Sequence, residues 1–175
     1  MQPNDLWLTG IALTVGVIAG GIDWKYRKIP NWLTFSAFGL GLALHTWQGG
    51  CGGVLTALAG SLTGLILTAA FFLSGGLGGG DVKLLMALGA LLGPLRVLWI
   101  FIYAGLAGGL LALIYLFHQL GLPSAYLRLR LLAGAFWDRE KRQMSVRLSK
   151  AQPLKLPYGI AICSGLVGEV ILKLL

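Results

Sequence analysis

Gly80-Asp81-Val82-Lys83-Leu84-Leu85-Met86-Ala87-Leu88-Gly89-Ala90-Leu91-Leu92-Gly93-Pro94 is the stretch on which the fold turns. Its apolar run, 81–92, is about a dozen residues long, where a membrane span needs ~20. Alone it reads equally as a crossing, a re-entrant helix or half of a broken one. The rest of the chain decides. Five further apolar runs lie at about 6–22, 32–46, 54–73, 97–117 and 157–175. If all six cross, the connections 23–31, 74–83 and 118–156 share one side. Those connections hold Lys25, Arg27, Lys28, Lys83, Arg128, Arg130, Arg139, Lys141, Arg142, Arg147, Lys150 and Lys155. Only Arg96 and Lys173 are left for the other side, as the positive-inside rule prefers. If 81–92 did not cross, the basic segment 118–156 would face outward. The expectation is therefore an all-α polytopic membrane protein of about six helices, with both termini outside the cytoplasm.

Composition agrees with that reading. Of 175 residues, 57% are hydrophobic and 11% charged, against roughly 25% charged in an ordinary soluble domain. Mean hydropathy is +0.80. So few charges cannot cover a soluble globule, which excludes a soluble enzyme and a disordered chain. The net charge of +8 fits the positive-inside bias and attraction to anionic lipid rather than nucleic-acid binding. Two cysteines, Cys51 and Cys163, with no CxxC, exclude the usual cysteine zinc site and any disulfide framework. The N-terminal apolar run has its basic residues after it, the wrong polarity for a cleaved secretory signal. It reads as a retained first span of a single membrane-embedded domain, 1–175. Segment 118–156 is a basic cytoplasmic loop of interfacial amphipathic character, a candidate surface for anionic lipid. Small residues at four-residue spacing (Ala12, Gly16 and Gly20; Gly60 and Gly64; Gly105 and Gly109) mark faces for close helix packing.

The chain has six acids: Asp5, Asp23, Asp81, Asp138, Glu140 and Glu169. Asp23 ends the first run and Asp81 begins the fourth. Two crossings separate them, so both lie at the cytoplasmic membrane edge. Each has an ordinary structural reading: Asp23 as an interfacial anchor balanced by Lys25 and Arg27, and Asp81 as an N-cap. Together, on one face of so acid-poor a chain, they suggest an aspartyl dyad. Two close carboxyls cannot easily both ionise, so they share a proton. One then activates water and the other protonates or polarises a scissile carbonyl. The glycine-rich approach to Asp81 gives it a mobile backbone that could swing it toward Asp23. That approach carries neither a Walker pattern nor a dinucleotide fingerprint.

These residues carry a resemblance. Gly78-x-Gly80-Asp81 followed by Lys83, with Asp23 and the Ile29-Pro30-Asn31 turn, resembles the type IV prepilin peptidase family, the membrane aspartyl proteases of the GxGD kind. The segment Leu156-Pro157-Tyr158-Gly159-Ile160-Ala161-Ile162 is similar to the entry of that family's last helix. The resemblance implies cleavage of a short basic leader from prepilin-like membrane proteins, after a glycine, at the cytoplasmic face of the inner membrane. It implies Asp23 and Asp81 as the catalytic pair, support from Gly78, Gly80, Lys83, Pro30 and Asn31, and no metal or organic cofactor. Longer members carry two CxxC pairs after the first helix and also N-methylate the mature pilin. Here only 24–31 separates the first two runs, so the chain resembles the short form of tight-adherence pilus and archaeal preflagellin peptidases. Methyltransferase activity is not expected.

Other polar residues have plainer readings. Glu169 has Lys173 four residues on, the spacing of a local ion pair. His45 and His118 fall at span ends, as interfacial polar groups. The competing functions are a small proton-coupled transporter, which prefers acids near the bilayer midplane, and a non-catalytic scaffold of a pilus or secretion machine.

Overall fold

The computed structural model describes residues 3–73, 76–134 and 158–174, with side chains over 6–73, 76–114 and 158–172. The described residues form helices only: α1 (Pro3–Tyr26), α2 (Asn31–Leu73), α3 (Gly79–Leu92), α4 (Pro94–Gly134) and α5 (Tyr158–Leu174). The chain divides into two compact units, 1–108 with 157–175, and 109–156. Within the second unit, residues 118–134, expected as loop, continue α4. Residues 135–156, the rest of the expected basic loop, lie outside the described residues, as do the side chains of Asp5 and His118.

α2 is two helices. Gly50 has φ 54° and ψ −132°, a backbone conformation that glycine adopts without steric cost. The arms 31–49 and 51–73 fold back on each other there, and Gly53 abuts the His45 carbonyl with no room for a side chain. The arms rise roughly 28 and 34 Å at 1.5 Å per residue, one just short of and one beyond a ~30 Å hydrocarbon core, and both within the length range of membrane spans. The expected gap between the second and third runs is thus a turn at one glycine. Among the described residues, three stretches are long and apolar enough to cross a membrane: Leu6–Tyr26, Asn31–Leu73 and Pro94–Ile114. Tyr158–Leu172 is a shorter apolar helix.

α3 is the core. It starts at Gly79, two residues before the expected start, and ends where Gly93 (φ 82°) returns its N–H to the Gly89 carbonyl at 2.8 Å. Leu84, Leu85, Leu88 and Leu91 are fully buried, as befits a helix apolar on all sides. Both arms of α2 lie against it through glycine. A methyl built on Gly41 would come within 2.7 Å of the Ala90 carbonyl, and one on Gly64 within 2.7 Å of the Leu85 carbonyl. Gly60 and Gly89 meet backbone to backbone. Such contact lets dispersion and packing hold helices together where lipid offers no hydrophobic drive.

α1 packs on α5 through the first small-residue row. Gly16 faces Leu166 and Gly20 faces Cys163. The row expected on α4 is displaced: Gly105 and Gly109 have open space, and Gly108 instead sits against Ala161 and Tyr158. Four-residue spacing identifies a face, but a helix turns 100° per residue, so the adjacent glycine can be the one in contact.

Candidate active site

Asp23 lies in the last turn of α1, the end where its own helix dipole disfavours an acid. A different helix supplies the compensation. Gly159, second residue of α5, donates its N–H to Asp23 Oδ2 at 2.8 Å in a buried bond. That amide is one of the four at a helix start with no intrahelical acceptor. The approach needs glycine: a methyl on Gly159 would lie 2.8 Å from Asp23 Cβ and 2.9 Å from Oδ2. α1 then stops at Arg27, which closes the helix with an N–H bond to the Asp23 carbonyl at 2.8 Å and φ 52°.

Asp81 is not an N-cap. Gly78 holds that position, and Asp81 is the third residue of α3. Its Oδ2 accepts the Gly78 N–H at 3.1 Å, the reach-back half of a capping box. Gly79 and Gly80 of the glycine-rich approach are already helical. A methyl on Gly80 would meet Ile29 Cβ at 3.1 Å, so the Ile29-Pro30 turn rests directly on the start of α3. Pro30 leads into α2, where Thr34 Oγ1 donates to the Asn31 carbonyl at 3.0 Å. Lys83 Nζ donates to Asn31 Oδ1 at 2.9 Å and sits 5.8 Å over the Phe35 ring. This bond ties the first turn of α3 to that of α2.

The two aspartates are therefore brought together. Both are buried, at 7% and 8% exposure, and Asp81 feels the charge of Asp23 directly. Tyr158, the first residue of α5, is in turn within the field of Asp81. Of the residues expected in support, Gly78 bonds Asp81 directly and Gly80 precedes it against Ile29, while Asn31 and Lys83 bond each other. Tyr158 and the Gly159 amide complete the site. Sequence reading had noted their segment without giving either a role, and the one available signal was a glycine in the first turn of an apolar helix.

Glu169 has a partner that its local spacing does not suggest. Arg96 Nε and Nη2 reach its two carboxylate oxygens at 2.8 and 2.9 Å. A guanidinium fork matches a carboxylate in a way one lysine nitrogen cannot; the Lys173 side chain lies outside the described residues. His45 Nε2 contacts the Leu91 carbonyl at 3.1 Å. Cys51 and Cys163 are free thiols. Among the described residues no three side chains of metal-ligating type cluster.

An all-helical membrane protein with two buried acids meeting where helices end has the makings of an intramembrane hydrolase. The chain belongs to the type IV leader peptidase family, whose sequence profile matches residues 6–113. The match takes in Asp23, Asp81 and the turns that carry them, and leaves out α5. Membership makes the chain a protease and a multi-pass membrane protein. No curated protein and no solved structure matches it.

Proposed function

We propose that this protein is an aspartyl endopeptidase of the inner membrane that removes the short basic leader from prepilin-like substrates at the cytoplasmic face. The observation that carries the reading is that Asp23 and Asp81 are both buried, near enough for the charge of Asp23 to act on Asp81, and each held by a backbone amide. Two carboxyls this close do not easily both ionise, and one shared proton gives the pair an acid and a base. The ionised carboxylate takes a proton from water as the water oxygen attacks the scissile carbonyl carbon. The protonated carboxyl donates to the carbonyl oxygen. When the tetrahedral species collapses, the C–N bond breaks and the leaving nitrogen takes a proton from the dyad. The leader departs with a new carboxylate and the mature chain keeps a new amine. Gly78, Gly80, Lys83, Pro30 and Asn31 hold Asp81 and the turn beside it.

The two arms of α2, with α1, α3, α4 and α5, support six crossings and a cytoplasmic site. The basic residues of segment 118–156 are suited to anionic lipid. The short 24–31 turn supports peptidase activity without methyl transfer. The transporter reading is weaker, because the two acids without a cation sit at helix ends and Glu169, farther along α5, is paired.

The test mixes the purified protein with a prepilin carrying its leader and reads product size. Asp23→Ala and Asp81→Ala should each abolish cleavage while the protein stays in the membrane. Cleavage surviving either change rejects the dyad.

A further inference from the structure

Away from the aspartates, one cation joins three helices. Arg96, in the first turn of α4, forks onto Glu169 of α5 and sends Nη1 to Thr9 Oγ1 of α1 at 2.9 Å. The side chains of Arg96 and Glu169 are 12% and 5% exposed. A buried ion pair adds little net stability over an apolar pair of the same size, and its best-attested use is to specify register.

Among the described residues, register between α1 and α5 has few other polar contacts to set it. α1 and α5 run antiparallel, with Gly159 on Asp23 and Leu166 on Gly16, each seven residues further along its helix. Between those points the contacts are small apolar groups, which resist sliding poorly. Glu169 stands ten residues from Gly159, and Thr9 fourteen from Asp23, about 15 and 21 Å along the two helices. The Arg96 side chain spans the ~6 Å difference. A slip of α5 by one residue, ~1.5 Å along the axis, would carry the Gly159 amide out of hydrogen-bond range of Asp23.

We propose that Arg96, Glu169 and Thr9 are positioning residues that set the height of α5 and so keep the Gly159 amide on Asp23. The inference rests on the peptidase reading for its effect on catalysis, but not for its effect on Gly159.

The experiment uses the full chain in lipid nanodiscs. Glu169→Gln keeps the shape and removes the charge. Amide hydrogen exchange at Gly159 should rise about tenfold or more. On a prepilin substrate kcat should fall ~10- to 100-fold, with KM within about twofold. The reversed pair, Arg96→Glu with Glu169→Arg, should restore part of both. Unchanged exchange at Gly159 in folded Glu169→Gln overturns the proposal, whatever happens to activity. If that variant does not fold, Thr9→Val is measured in the same way and decides by the same criterion. A wild-type chain that cleaves no prepilin, with Gly159 exchange still responding to Glu169→Gln, supports the register device and overturns the peptidase reading.

Discussion

Asp23 and Asp81 at one end of the molecule, and Glu169 toward the other, are all buried. Only Glu169 carries a cation among the described residues, and it carries one on both oxygens. The aspartates are held by backbone amides of Gly159 and Gly78. A backbone amide orients a carboxyl through one neutral donor, whereas a guanidinium fork grips both oxygens in a charge-assisted pair. On the proposed reading the difference separates acids kept for chemistry from an acid kept for structure, and Lys25, Arg27 and Lys28 near Asp23 are exposed rather than turned onto it.

The largest expected effect breaks the comparison at its reactive end. Asp23→Asn and Asp81→Asn keep shape and most hydrogen bonding but cannot move a proton. Cleavage should fall about 10⁴-fold or more, measured as single-turnover leader release, with membrane insertion and thermal stability near wild type. Glu169→Gln in the same assay should lose far less. Equal losses would erase the distinction between the two ends.

The next effect tests the structural end. Arg96→Met strips the guanidinium fork from the buried Glu169, which should cost about 3–5 kcal/mol of stability, read from unfolding in mixed micelles. Arg96→Met with Glu169→Met should recover most of it, because two apolar side chains need no partner. If the double variant is as unstable as the single, the pair does more than cancel its own desolvation.

Gly159→Ala comes third and joins the two regions. The added methyl would lie 2.8 Å from Asp23 Cβ, so either α5 or the carboxyl must move. A displacement of a few tenths of an ångström to 1 Å should lower kcat up to about a hundredfold, with KM little changed. A fully active Gly159→Ala would show that the Asp23–Gly159 bond is dispensable for positioning.

What the sequence made legible follows from what it encodes locally. Hydropathy located an apolar run in each described helix, though not the continuation of α4 through 118–134. Counting crossings put Asp23 and Asp81 on one side, and the structure brings them together. The break in α2 was readable from Gly49-Gly50-Cys51-Gly52-Gly53 between two apolar runs. The contacts across long separations were not readable. Gly159 stands 136 residues from Asp23, and Arg96 stands 73 from Glu169. A local pattern offers Lys173 to Glu169, and no local pattern offers Arg96. The same blindness hid which glycine of α4 faces α5, since Gly108 rather than Gly105 or Gly109 makes the contact.

Lys83→Met is the smallest change and the sharpest check on how far the reactive region extends. Lys83 is two residues beyond Asp81, and its ammonium is exposed on the neutral oxygen of Asn31. The bond is a tether between α2 and α3 in contact with water. Its loss should cost under about 1 kcal/mol and change cleavage by less than about threefold. Low salt should not enlarge the effect, because Asn31 has no charge to screen. A loss as large as that of Gly159→Ala, appearing in KM, would instead put Lys83 in contact with the substrate. The boundary between proton chemistry and scaffold would then run through the exposed face of α3 rather than beneath it.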